Sequence, residues 1–322
     1  EQVEIEGGVD RGDAADRVRA AWALGLREPA ASELLVERAA EEPSPGVRRH
    51  LVVVLAGLGE TECVRVLADH DPSPAVRATA CVALVRMARG APEHEQLVVD
   101  RLVQDPADDF RVRVIDEAEI DACPMLARAI AELLAHPCEE VRHAVVARIE
   151  DGLPIDAAAL GYRAIVEPEF GLRYQIARLA VRLDPSVATR IDAETLHSLL
   201  PSLFGADGRL PPVALDAVLN RWSAGEHLLL DGIVVHQLLA AHFDEISRHL
   251  LLQLAAAHPW ATTRLEDLVE RCARTPLDHA ERAAGEAIVA ELGDVLEEED
   301  EHDVSARHGR TLGALAQLVA PR

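Results

Sequence analysis

The side chains best suited to hold another molecule are Arg19 with Trp22, Arg49 with His50, Arg113 with Asp116, His143, and Tyr174 with Gln175 and Arg178. They fall at matching places in successive copies of one short pattern, so they form columns rather than a scatter. A guanidinium fork grips a carboxylate or phosphate through two parallel N–H bonds, and an indole or phenol ring offers its face to a flat or cationic group. The chemistry is that of holding a protein or peptide that carries anionic groups. The competing account is that long arginines only neutralise acidic neighbours on a surface. Against composition the columns stand out, because they are basic and aromatic in a chain with 32 basic and 56 acidic residues and a net charge of −24.

Other constellations are weaker. His227, His236, His242, His249 and His258 thicken one stretch, and His242, Glu245 and His249 have the i, i+3, i+7 spacing of one helix face. Asp244, however, is placed to cap a new helix and leave His242 outside it, so metal ligation is the minor reading and no metal or cofactor is expected. The 32 basic residues are all arginine. A phosphate-binding P-loop needs its lysine and Schiff-base chemistry needs an amine, so those enzyme classes are excluded. No nucleophile elbow, glycine-rich phosphate loop or zinc-finger spacing appears.

The elements that position the columns are helices in a repeat. Arg48, Arg77, Arg111, Arg142 and Arg173 serve as anchors at spacings of 29, 34, 31 and 31. Five residues before each stands a proline, and six before stands Glu42, Asp71, Asp105, His136 or Glu167. Apolar residues occupy the position before each anchor (Val47, Val76, Phe110, Val141, Leu172) and three after it (Leu51, Ala80, Val114, Val145, Ile176), which makes one helical face. An earlier copy takes Arg17 as anchor, with Arg19 the competing choice. Proline before a first turn stops the preceding helix from running on, and the acid can cap amides or accept from a guanidinium of its own or a neighbouring repeat, giving a ladder. A residue repeated in every unit cannot mark one site, so the anchors read as structural.

Second helices are expected at about 29–40, 60–70, 92–104, 122–135 and 154–166. Two helices per period of about 30 residues, neither able to bury its face alone, predict an all-α fold, an α-solenoid of helical pairs. Past Arg190 the pattern decays while helicity continues near 193–204, 211–222, 231–241, 244–257, 259–273, 276–292 and 304–319, with echoes at Arg264 and Arg282. The division expected is a lead-in at 1–12, about six repeats at 13–190 and degenerate repeats at 191–322. The FGADGRLPP loop at 204–212 is the clearest punctuation.

The DPSPAVRATA segment from Asp71 to Ala80, echoed by EPSPGVRRHL and HPCEEVRHAV, resembles HEAT repeats of the short bacterial type found in phycobilin lyases and scaffold proteins. That resemblance covers about 13–190. It implies that the arginine-bearing helices line a concave side, and it is silent on function. Alkylpurine DNA glycosylases of this general fold use arginine, tryptophan and aspartate in a groove, a set that Trp22, Arg113 and Asp116 imitate. The net charge opposes nucleic acid, since phosphate neutralisation dominates that binding. Deoxyhypusine hydroxylases are similar too, but they require recurring His-Glu pairs, and only His94-Glu95 is present.

Five scattered cysteines without a CxxC pair suggest reduced thiols in a cytoplasm, and no apolar window is long enough for a membrane span. A start at Glu1 without methionine suggests a trimmed N-terminus. The acidic run 296–303 is either a solvated edge or a dock for a basic partner. The expected function is a non-enzymatic scaffold that binds a protein or peptide along the helical groove. The alternative is a groove enzyme or nucleic-acid binder resembling the glycosylases.

Overall fold

A computed structural model of the chain describes residues 13–27, 32–88, 91–223, 232–257, 264–298 and 302–320. Among them are eighteen α-helices and no strand. They fall into two compact units, Glu1–Ala159 and Leu160–Arg322.

The first unit contains α1 (Ala14–Arg27), α2 (Ser32–Glu41), α3 (Pro45–Leu58), α4 (Thr61–His70), α5 (Pro74–Ala88), α6 (Pro92–Gln104), α7 (Asp108–Glu117), α8 (Pro124–Glu132) and α9 (Glu139–Glu150). The anchor-bearing helices α1, α3, α5, α7 and α9 pack each on the next, forming a row. Alternate helices attach beside that row, as α4 does to α3 and α5. This is the packing of an α-solenoid, and its cause is the expected face. Val47, Val76, Phe110 and Val141, together with Leu51, Ala80, Val114 and Val145, are all buried. The repeated prolines do not begin the helices. Pro43, Pro72, Pro106 and Pro137 each lie two residues before the first helical residue, in the turn, where they end the preceding helix.

The turns are tied by the ladder that the motif implied, and the acid serves the repeat before its own. Arg17 pairs with both oxygens of Glu42, Arg48 with both of Asp71 and Arg77 with both of Asp105, at 2.7–2.9 Å. Each acid also accepts the amide two residues on, from Ser44, Ser73 or Ala107. Arg48 and Arg77 complete the joint by donating to the backbone carbonyl six residues before themselves. This settles the register of the first copy. Arg17 makes the ladder contact, whereas Arg19 is exposed and pairs with Asp16 on its own helix. Glu95 stitches the other helices: buried in α6, it accepts the Met125 and Leu126 amides at the start of α8, at 2.6 and 2.9 Å.

The second unit contains most of α10 (Ala157–Val166), then α11 (Phe170–Leu183), α12 (Ala193–Leu203), α13 (Pro212–Ser223), α14 (Gly232–His242), α15 (Arg248–Ala257), α16 (Leu265–Ala273), α17 (His279–Glu298) and α18 (His302–Val319). A 3-10 turn at Pro185–Thr189 sits between α11 and α13, and α13, α15 and α17 follow each other in packing. Arg173 reaches Thr195 at 3.0 Å and Asp192 at 3.3 Å. Arg248 forks onto buried Glu281 at 2.9 and 2.5 Å. That pair repeats the ladder where the sequence motif had faded.

Helix α15 begins at Arg248 rather than near Asp244, because residues 243–247 form a turn. The division between the units after Ala159 falls inside the stretch 13–190 expected to carry the repeats. The lead-in at 1–12, and Glu299, Asp300 and Glu301 of the acidic run, lie outside the described residues.

Candidate functional site

The columns of the first unit lie on the row of anchor-bearing helices. Trp22 on α1 and Val53 on α3 occupy the same repeat position, five residues after Arg17 and Arg48, and α1 packs directly on α3. Trp22 is 37% exposed, Val53 42%, and Leu26, one turn beyond Trp22, 79%. They give an apolar surface at this end of the row, with exposed Arg19 and His50 beside it.

Further along, the column closes. On α5 the equivalent residues Ala78 and Val82 are buried, and Arg49 crosses from α3 to donate from Nε to Thr79 Oγ1 at 3.1 Å. The small side chains of this copy let its neighbours close over it, which the sequence pattern did not reveal. On α7, Arg113 lies 3.6 Å from Glu117, one turn away, and Asp116 is exposed. On α9, His143 Nε2 is 3.5 Å from Glu139. The positive charge of Arg19 and Arg113 is thus met by carboxylates on their own helices, and the His143 ring faces one on its own.

Tyr174 and Arg178 are half-buried on α11 of the second unit. Trp22, Arg113 and Asp116 are not gathered. Three helix-packing steps separate α1 from α7, about 27 Å at the usual spacing of about 9 Å.

A cavity of about 940 Å³ opens among the C-terminal ends of α5, α7 and α9 and the loops that follow α7 and α9. Asp116 lines it. Although Asp116 is exposed as a residue, partial desolvation of its carboxyl at the cavity wall holds it above its ordinary value and the neighbouring Glu117 charge adds to this, against the pull of Arg148 and Arg113. Sequence spacing found Asp116 but not the cavity, because residues 118–123 form an irregular loop with no periodic signal.

The expected histidine constellation comes apart. Buried His242 accepts the Leu210 amide on Nε2 at 2.9 Å and faces Glu245 with Nδ1 at 3.3 Å. His249 lies on the next helix, near Asp278 and Glu281. Arg248 already occupies Glu281, so a cation there would compete with a guanidinium. Asp108, His136 and Cys138 also draw together in the first unit. There Arg111 donates to Asp108 at 2.9 Å, and the Cys138 amide donates to His136 Nδ1 at 3.2 Å, so these groups serve the turn before α9.

A stack of helical pairs joined by arginine–carboxylate forks defines the class as an α-helical repeat protein. Residues 32–116, which run from α2 to α7, match the family model for HEAT repeats, and that match together with the consecutive packing of the helices fits a HEAT-like repeat protein. No curated protein matches the chain. Among the described residues no helix is long and apolar enough to cross a membrane.

Proposed function

We propose that the protein is a non-enzymatic scaffold that binds a protein or peptide on the anchor-helix row of its first unit. The observation that carries this reading is the exposed apolar surface of Trp22, Leu26 and Val53 with arginine and histidine beside it. Tryptophan and arginine are the side chains that most often dominate protein interfaces, where a ring fills a pocket and a polar rim excludes water. HEAT repeats commonly serve as interaction scaffolds, which supports the same reading. Among the described column residues of the row, Arg19, Arg113 and His143 face carboxylates on their own helices and Arg49 faces Thr79, an arrangement suited to holding a partner.

Arg49 and His50 flank the apolar surface and would contact carboxylates on the partner. Arg19, Arg113 and His143, already facing acids, would form its rim. Tyr174 and Arg178 offer a similar ring and guanidinium within the second unit. A photo-crosslinking residue at Leu26 in the full chain, used in the source cells, should capture a discrete partner. Trp22→Ala should weaken that partner's binding at least about 30-fold, the size of a hot-spot loss of about 2 kcal/mol, with the helical circular dichroism retained at the temperature of the binding assay. Equal affinity for the variant would remove the row from the function.

A further inference from the structure

The cavity behind Asp116 has a lining that the row does not explain. Five carboxylates, Asp116, Glu117, Glu119, Asp121 and Asp151, share its wall with two guanidiniums. Both guanidiniums make contacts of their own, although Arg148 Nε is buried without a hydrogen-bond partner and its charge also acts on Asp116. Arg86 pairs with Glu119 at 3.1 Å, and Arg148 Nη2 donates to the Ala118 carbonyl at 2.9 Å, holding the start of the loop. Glu117 faces Arg113. Asp116, Asp121 and Asp151 have no ion-pair partner among the described residues.

Two further features act in the same direction. The last turns of α5, α7 and α9 all contribute to the wall, so the partial negative charge of three helix C-termini adds to that of the carboxylates. Between the acids the wall is apolar, with Val85, Ile120, Leu153 and Pro154. Unpaired carboxylates beside an aliphatic wall suit a side chain with an apolar stem and a cationic head, which is the shape of arginine and lysine. An inorganic cation would have no use for the apolar half.

We propose that this cavity receives an arginine or lysine side chain from a basic segment of a partner protein. The assignment rests on the scaffold reading in one respect, that the occupant is a protein. The chain's net charge of −24 would draw such a segment in from solution.

The test uses the full chain and a labelled peptide, Gly-Ala-Ala-Arg-Ala-Ala-Arg-Ala-Gly, with a counterpart in which citrulline replaces each arginine. Affinity is read by fluorescence anisotropy at 150 mM salt. The triple variant Asp116→Asn, Asp121→Asn, Asp151→Asn should bind the arginine peptide at least tenfold more weakly than the native chain. The citrulline peptide should show the same loss on the native chain. A control that removes three exposed acids elsewhere in the unit, Glu33→Gln, Glu93→Gln and Asp109→Asn, should change affinity less than twofold. Equal losses in the two triple variants would reduce the effect to the general field and overturn the proposal, as would unchanged binding in the cavity variant. Should the triple variant melt early, Asp121→Asn alone in the exposed loop carries the test, with a threefold loss expected. Trp22→Ala must leave the peptide affinity unchanged, so failure of the row and failure of the cavity are read separately.

Discussion

Arg48 closes a fork on both oxygens of Asp71, at 2.7 and 2.9 Å, and its remaining nitrogen donates to the carbonyls of Glu42 and Pro43. One side chain therefore fixes its own turn and the next repeat together. Both partners are buried, Arg48 at 8% exposure and Asp71 at 6%. Removing one leaves the other charged without a counter-charge. Asp71→Ala should lower unfolding stability by about 3–5 kcal/mol, while the double variant Arg48→Met, Asp71→Leu should lose much less, since a buried pair can be replaced by apolar groups at little cost. Urea unfolding of the two variants checks this, and equal losses would show that the fork itself, not the orphaned charge, carries the stability.

The same forks set an acid limit. Burial alone would raise the carboxyls of Glu42 and Asp105. The hydrogen bonds from Arg17 and Arg77, the Ser44 and Ala107 amides and nearby guanidinium charges outweigh it and hold both below their ordinary values. A carboxyl lowered in the native state binds fewer protons there than in the unfolded chain, so it stabilises the fold above the ordinary carboxylate range. That contribution is lost as pH falls from about 4 through the depressed native values. Melting temperature should fall steeply below pH 4.5, and the double variant Arg77→Met, Asp105→Leu should flatten the slope. A slope unchanged by the variant would place the acid sensitivity in other groups.

The anchor column was legible in the sequence because one physical demand, a buried apolar face beside a capped turn, is imposed on every copy. Val76, Arg77 and Ala80 therefore recur in type and spacing. The ladder's direction was not legible, because Glu42 stands at the same sequence distance from its own anchor whichever guanidinium it accepts. Surface exposure escaped for a related reason. Val82 holds the same repeat position as exposed Trp22 and Val53, and Ala78 that of half-buried Arg49, and only the approach of the adjoining helices buries them. In the second unit Arg248 forks onto Glu281 without the proline and valine that flag the anchors earlier, so contact survived where pattern did not.

Close approach within the row can be tested at Gly25. A Cβ added there would overlap Val54 Cγ1 and come near the Leu58 side chain, so glycine is what lets α1 settle on α3. Valine is branched at Cβ and cannot swing clear. Gly25→Ala gains helix propensity worth about 1 kcal/mol, yet overpacking of this kind costs about 1–3 kcal/mol. The net should be destabilising and local, seen as faster proteolysis within α1 than within α5. Pairing the change with Val54→Ala should restore protection, and no restoration would locate the strain elsewhere.

The ladder breaks at Arg111, and the break can be repaired. Where Glu42, Asp71 and Asp105 each receive the arginine of the previous repeat, the next turn presents His136. Arg111 instead folds back onto the carbonyls of Leu102 and Val103 and onto Asp108. His136 keeps half of the acid's work, since its Nδ1 accepts the Cys138 amide as Asp71 accepts that of Ser73. His136→Asp supplies a carboxylate that can do both, accepting the amide and the guanidinium. Arg111 is already buried at 9% exposure, so the new pair brings no further desolvation of the arginine. Against this stand repulsion from Asp108 and the loss of the His136–Asp108 approach at 3.8 Å. The charged hydrogen bonds gained are worth about 1.5–3 kcal/mol in favourable cases, and the two losses together about 1 kcal/mol at a half-exposed carboxylate. Because Arg111 must also give up its bonds to the Leu102 and Val103 carbonyls, worth about 1 kcal/mol each, His136→Asp should leave stability in urea within about 1 kcal/mol of the native chain, and the same change in an Arg111→Met background should cost more. A His136→Asp variant destabilised beyond that range would mean that Arg111 cannot leave the carbonyls of α6, and that the histidine is the residue this turn requires.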